Sequence, residues 1–70
     1  MRYAIVIEHA GSNYSAYVPD LPGCAATGRS VEETEANIRE AIAFHLAGLR
    51  EDGLPTPPAT SQVDYVDIAA

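Results

Sequence analysis

Between Tyr17 and Gly28 the chain reads YVPDLPGCAATG, which sets two prolines and two glycines around one acid and the only cysteine. Pro19 pushes Val18 toward extended backbone, so a strand can run straight into it. Pro22-Gly23 suits the central pair of a type II turn: proline fixes the first φ, and glycine accepts the positive φ of the second. Neither proline has an N–H to give, so this stretch is a strand end and a turn, never the middle of a sheet. Leu21 is expected to pin the turn to the core. Asp20 is expected to accept backbone N–H groups within the loop. A strand must therefore stop here and the chain must reverse.

What flanks the turn reads as a small antiparallel sheet. In Arg2–Glu8 (RYAIVIE) the residues Tyr3, Ile5 and Ile7 share one face at period two, which predicts a strand. HAGSN, residues 9–13, predicts a turn, with Gly11 and Asn13 tolerant of positive φ. Tyr14–Val18 alternates again and predicts the second strand of a hairpin, and Cys24–Thr27 a short third strand.

Ser30 opens a helix. SVEE is a capping box in which the Ser30 hydroxyl accepts from the Glu33 N–H and the Glu33 side chain reaches back to the Ser30 N–H. Glu32 and Glu35 add negative charge near the positive end of the helix dipole. Val31, Ile38, Ile42, His45, Leu46 and Leu49 then form one apolar stripe, and Glu35 and Arg39 an i,i+4 ion pair. Gly53 is a natural stop, and Pro55 prevents continuation. Phe44 lies off the stripe beside Asn37 and Gly48, as a lone exposed aromatic or as a contact with another chain. LPTPPATSQ (54–62) is an extended connector, and Val63–Ile68 (VDYVDI) reads as a last strand. The order is β-β-β-α-β, an α+β domain over residues 1–70. It has a three-to-four-stranded antiparallel sheet and one helix on one face.

With 70 residues the core is small. Such chains add disulfides, a metal or a partner subunit. The lone Cys24 excludes an internal disulfide and fits a reducing compartment. His9, Cys24 and His45 are too scattered to suggest a metal site. Self-association, as a dimer or higher, is the remaining route. The early charges Glu8 and His9 argue against a signal peptide, and no apolar run is long enough for a membrane span, so a cytoplasmic protein is expected. Ten acids face four arginines, for a net charge of −6. That balance argues against direct nucleic-acid binding, which needs basic groups to neutralise phosphates, and it suits a basic protein partner. Cys24 as a nucleophile would need a base; a buried structural thiol is the simpler reading. Asp20, Glu40 and Asp52 have no spacing that specifies a hydrolase or nuclease centre. No cofactor is expected.

These residues resemble the HicB-like antitoxins. The resemblance rests on Y-x-A-Y-V-P-D-L-P-G-C (Tyr14–Cys24, with Tyr14, Tyr17, Pro19, Asp20, Leu21, Pro22, Gly23 and Cys24), the glycine and serine before the E-E-T helix start (Gly28–Thr34), and E-D-G-x-P-x-P (Glu51–Pro57). Thr34 stands where alanine is more usual. The resemblance implies a truncated ribonuclease H-like fold without a working nuclease site, and a homodimer or higher oligomer. It also implies a binding function: blocking a small basic HicA-type toxin that cleaves messenger RNA. Many relatives carry a C-terminal helix-turn-helix or ribbon-helix-helix domain; none is expected within residues 1–70. The alternatives kept beside this reading are a standalone oligomeric α+β protein and a minimal hydrolase or nuclease.

Overall fold

The structure, a computed structural model, describes residues 1–69. Strands β1 (Val6–Ala10), β2 (Asn13–Tyr17) and β3 (Ala25–Gly28) precede one long helix, α1 (Val31–Glu51). The strands form an antiparallel meander in the order β1-β2-β3. The α+β expectation holds, with shifted boundaries.

Ala10 pairs with Asn13, so the β1–β2 hairpin turns on Gly11-Ser12 alone. Gly11 has φ +64, and among the described residues no non-glycine has positive φ. That is a type II′ geometry, with glycine first, whose twist matches that of the strands. Asn13 is therefore a strand residue, contrary to expectation. His9 and Tyr14 face each other across a non-hydrogen-bonded pair, where side chains sit closest. Their rings meet edge-on with centroids 4.8 Å apart.

The register also explains why β1 begins at Val6 rather than Arg2. Closure at Ala10–Asn13 makes Glu8–Ser15 and Val6–Tyr17 the next hydrogen-bonded pairs, since such pairs recur at every second residue. The pair after those would be Ala4 with Pro19, and proline has no N–H to exchange. Val18, which would face Ile5, spends both backbone groups inside the loop: its N–H donates to Cys24 O at 3.2 Å and its C=O accepts from Leu21 N at 3.1 Å.

Cys24 N donates to Leu21 O at 3.1 Å, closing a turn over Pro22-Gly23 with Gly23 at φ +83. The loop is thus two successive tight turns, and Leu21 at its centre is 0% exposed. Leu21, Ala16, Val18, Cys24 and Ile38 are the buried apolar residues, with Tyr3, Ile5, Ile7, Ile42 and Leu46 packed around them.

One face of the sheet carries α1. Small residues there let the helix come close. A Cβ on Gly28 would lie 2.5 Å from Thr34 Oγ1 and 2.7 Å from Thr34 N. Ser30 caps the helix by accepting from Glu33 N at 3.0 Å. The return arm of the box goes elsewhere than expected: Glu33 accepts from Arg29 N at 3.4 Å rather than from Ser30. The far end closes as a Schellman motif, with Gly53 N donating to Arg50 O and Leu54 N to Leu49 O, and with Gly53 at φ +70. Ile38 is buried and His45, Leu46 and Leu49 are half-buried, while Val31 at the start of the stripe is 42% exposed because it precedes the covered part of the sheet.

The segment expected as the last strand, Val63–Ile68, lies outside the sheet. No neighbouring strand pairs with it among the described residues, and Tyr65, Val66 and Ile68 are 90%, 79% and 77% exposed. The radius of gyration is 13.7 Å and the long axis 48 Å. A compact chain of this length would have a radius of about 11 Å. The excess reflects this projecting tail.

Candidate interaction surface

The PDLPG loop does more than reverse the chain. Its acid, Asp20, accepts from Thr60 N at 2.9 Å, Ser61 N at 2.8 Å, Thr60 Oγ1 at 3.2 Å and Ser61 Oγ at 2.7 Å. These donors lie at the far end of the proline-rich connector, not within the loop, where the sequence reading placed them. Hydrogen bonds from the Ser61 backbone, and then from its hydroxyl, hold the Asp20 carboxyl below its usual range; Thr60 adds to this and partial desolvation opposes it. The Tyr3 hydroxyl donates to Pro57 O and ties the same connector to the N-terminal segment. Nothing in the local spacing pointed to either contact. The one available signal was a run of hydroxyl residues (Thr60-Ser61) in a segment otherwise rich in proline.

Cys24 is 5% exposed, and burial pushes its thiol pKa up. A raised pKa disfavours the thiolate that nucleophilic chemistry requires. Among the described residues no three His, Cys, Asp or Glu side chains gather as a metal-binding group, so His9, Cys24 and His45 remain apart, as do Asp20, Glu40 and Asp52. No described helix is long and apolar enough to cross a membrane.

The outer surface is acidic and mostly unpaired. Two ion pairs are present among the described residues, Arg29–Glu33 at 3.6 Å and Arg39–Glu35 at 3.1 Å, both between exposed side chains. Glu8, Glu32, Glu40, Glu51, Asp52, Asp64 and Asp67 are exposed and outside these pairs. Phe44 stands among them, 84% exposed. At 100° per residue it shares a ridge of α1 with Asn37, Glu40 and Glu51, and the last two acids are about 16 Å apart along the axis. Ala43, Ala47 and Gly48 around it are small, so the ring projects. Asn37 Nδ2 donates to Thr27 O at 2.8 Å and fixes this ridge above the β3 side of the sheet.

A three-stranded meander under one long helix, with an acidic exterior and its single thiol sealed in the core, defines a small acidic α+β domain of the β-β-β-α kind. Residues 3–69 match the model of the HicB-like antitoxins of bacterial toxin-antitoxin systems, and the chain belongs to that family. It is 37% identical over 67 residues to an uncharacterised 14.9 kDa protein from the rep-hol intergenic region of Haemophilus phage HP1, covering 96% of this chain and 50% of the phage protein. The chain thus spans half the length of that relative. A UPF0150 protein of Helicobacter pylori is 47% identical over 49 residues, covering 70% of this chain and 68% of its own. Among solved structures, a chain of the HicA3 and HicB3 toxin-antitoxin complex superposes with a TM-score of 0.73 at 32% identity, over 84% of this chain and 70% of that one.

Proposed function

We propose that this protein is the antitoxin of a HicA-type pair, a cytoplasmic binding module that neutralises a small basic toxin which cleaves messenger RNA. The observation that carries the reading is the likeness, in fold and at 32% identity, to a chain solved within a toxin-antitoxin complex. Two physical features support it. A net charge of −6, with most acids unpaired, attracts a basic partner and competes for surface that RNA phosphates would occupy. The buried Cys24, its thiol pKa raised, supports reading the chain as a binding protein, and we propose no direct contact with nucleic acid.

Phe44 is the anchor of the toxin contact, with Glu40 and Glu51 on its flanks meeting basic groups. Exposed aromatics ringed by small residues make hot spots when a partner desolvates them. The test is co-expression of the chain with the product of a short basic reading frame beside its gene. Growth rescue and co-purification are expected, and Phe44→Ala with Glu40→Arg should abolish both while the helix signal stays unchanged. A toxin that remains active and unbound in the presence of the native chain refutes the antitoxin reading. Full rescue by the double variant refutes only the placing of the contact. The core is small, and a second copy of the chain completes the fold.

A further inference from the structure

Strand β3 ends the sheet on one side, and its outer edge is open. The β1–β2 ladder turns the backbone of Asn13, Ser15 and Tyr17 toward β1, so Tyr14 and Ala16 bond to Gly28 and Ala26. The backbone groups of Ala25 and Thr27 therefore point away from the sheet. One of them is taken: Thr27 C=O accepts from Asn37 Nδ2 at 2.8 Å. The Ala25 N–H, the Ala25 C=O and the Thr27 N–H have no partner among the described residues, and both residues are exposed. Edges are ordinarily blunted by charge, proline or a bulge. Ala25–Gly28 reads AATG, with neither charge nor proline, and its register with β2 is unbroken. The Phe44 ridge overhangs this same edge. Asn37 ties the ridge to Thr27, and Phe44 follows about 10 Å further along the axis. Glu40 lies between them, exposed and outside the ion pairs.

We infer that the protein partner presents an extended segment, which pairs with the β3 edge and lays a basic side chain against Phe44. The inference rests on the antitoxin reading and its placing of the contact, and adds the backbone form and residue pattern of the partner. A strand set against β3 turns alternate side chains toward the helix and toward the open face of the sheet. The helix-side row meets Phe44 and Glu40. There the stem of an arginine or lysine covers the ring and its charged head reaches the carboxylate. A purely apolar side chain would leave Glu40 covered without a partner, which is costly. The other row extends Val6–Tyr17–Ala25, which are paired across the open face, with Tyr17 46% exposed and Val6 half-buried. Apolar side chains suit that row. The occupant is thus a strand of alternating basic and apolar residues from a basic protein. The chain's own VDYVDI (Val63–Ile68) does not fit: at period two each of its faces carries an acid, and that acid would meet Glu40.

The probe is the product of the short basic reading frame beside the gene, purified with the full chain. Hydrogen exchange read amide by amide should find Ala25 and Thr27 fast in the chain alone and about tenfold or more slower in the complex. Ala25→Pro and Thr27→Pro each remove an outward N–H and leave the ladder to β2 whole. Both should keep the helix signal and lower affinity about tenfold or more. Phe44→Trp keeps an aromatic face and should bind as the native chain does, whereas Phe44→Leu keeps only apolar bulk and should bind more weakly. A native chain that binds nothing refutes the antitoxin reading and this inference with it. Binding that leaves the Ala25 and Thr27 amides fast, or that both proline variants retain in full, overturns the strand addition and leaves the antitoxin reading standing. Native affinity in Phe44→Leu overturns the basic contact on the ring. Protection already present in the chain alone, and rising with its concentration, gives the edge to a second copy and overturns the inference as well. Should a proline variant lose its helix signal, exchange in the native complex decides.

Discussion

Replacing Gly28 with alanine tests the close approach of α1 to β3. The added Cβ would meet Thr34 Oγ1 at 2.5 Å, Thr34 N at 2.7 Å and Thr34 Cα at 2.9 Å. The hydroxyl cannot simply rotate away without loss, because it donates to Ser30 O at 2.7 Å in a fully buried position. The other two atoms are backbone in the first turn of α1, so relief requires the helix to lift from β3. Overpacking of this kind costs about 1–3 kcal/mol. Alanine recovers about 0.5–1 kcal/mol of the entropy that glycine loses in a strand. The net loss is therefore about 0–2.5 kcal/mol, centred on about 1 kcal/mol, against a total of roughly 4–10 kcal/mol for a domain of this size. A central loss of about 1 kcal/mol corresponds to a fall in Tm of about 4–8 °C. Gly48→Ala is the control: a Cβ there meets nothing within 4 Å, and in a helix interior the change should stabilise by about 0.5–1 kcal/mol. Thermal and urea unfolding followed by circular dichroism, at one fixed protein concentration, reads both. If Gly28→Ala gains stability as Gly48→Ala does, the close packing of helix on strand is wrong.

Two further outcomes follow from the same geometry. The Asp20 carboxyl has its pKa lowered in the folded chain, so its contribution to holding the connector is full above its unfolded value near 3.8 and is lost as pH falls through the folded value. The protection of the Thr60 and Ser61 amides, taken relative to the intrinsic exchange rate at each pH, should be high at neutral pH and fall only in acid; Asp20→Asn should show lower protection throughout neutral pH, and equal protection in both proteins would refute the clamp. The Cys24 thiol, buried and raised in pKa, should react with a disulfide reagent at pH 8 far more slowly than in urea; fast labelling of the native chain would show that the thiol is open.

The sequence was most legible where two to four neighbouring residues decide the structure. Pro22-Gly23 specifies its turn alone, Ser30 its cap, and Gly53 the helix stop, because each rests on a φ angle or a hydrogen bond within one turn of chain. The helix stripe was legible for the same reason. Long-range choices were not. The late start of β1 depends on Pro19 falling opposite Ala4, which follows only once the hairpin register is set by Gly11-Ser12. Glu33 reaches Arg29 rather than Ser30 by the small difference between two adjacent amides. Asp20 looked like a loop acid because its neighbours explain it well enough, while its four donors lie 40 and 41 residues away.

The reading of Val63–Ile68 as a strand shows where pattern ends. An apolar run of this length states what a segment can pair with, and says nothing of which chain supplies the pair. In a large domain the distinction rarely matters, since some internal edge is available. Among the described residues the buried apolar core holds five side chains, one long helix covers one face of the sheet, and the loop acid fixes the connector before the tail begins. The same motif that reverses the chain at Pro19 thus has two remote consequences: it ends the β1 ladder at Val6, and through Asp20 it anchors the connector at Thr60 and Ser61. A loop that looks like local geometry therefore sets both where the first strand begins and where the connector is held.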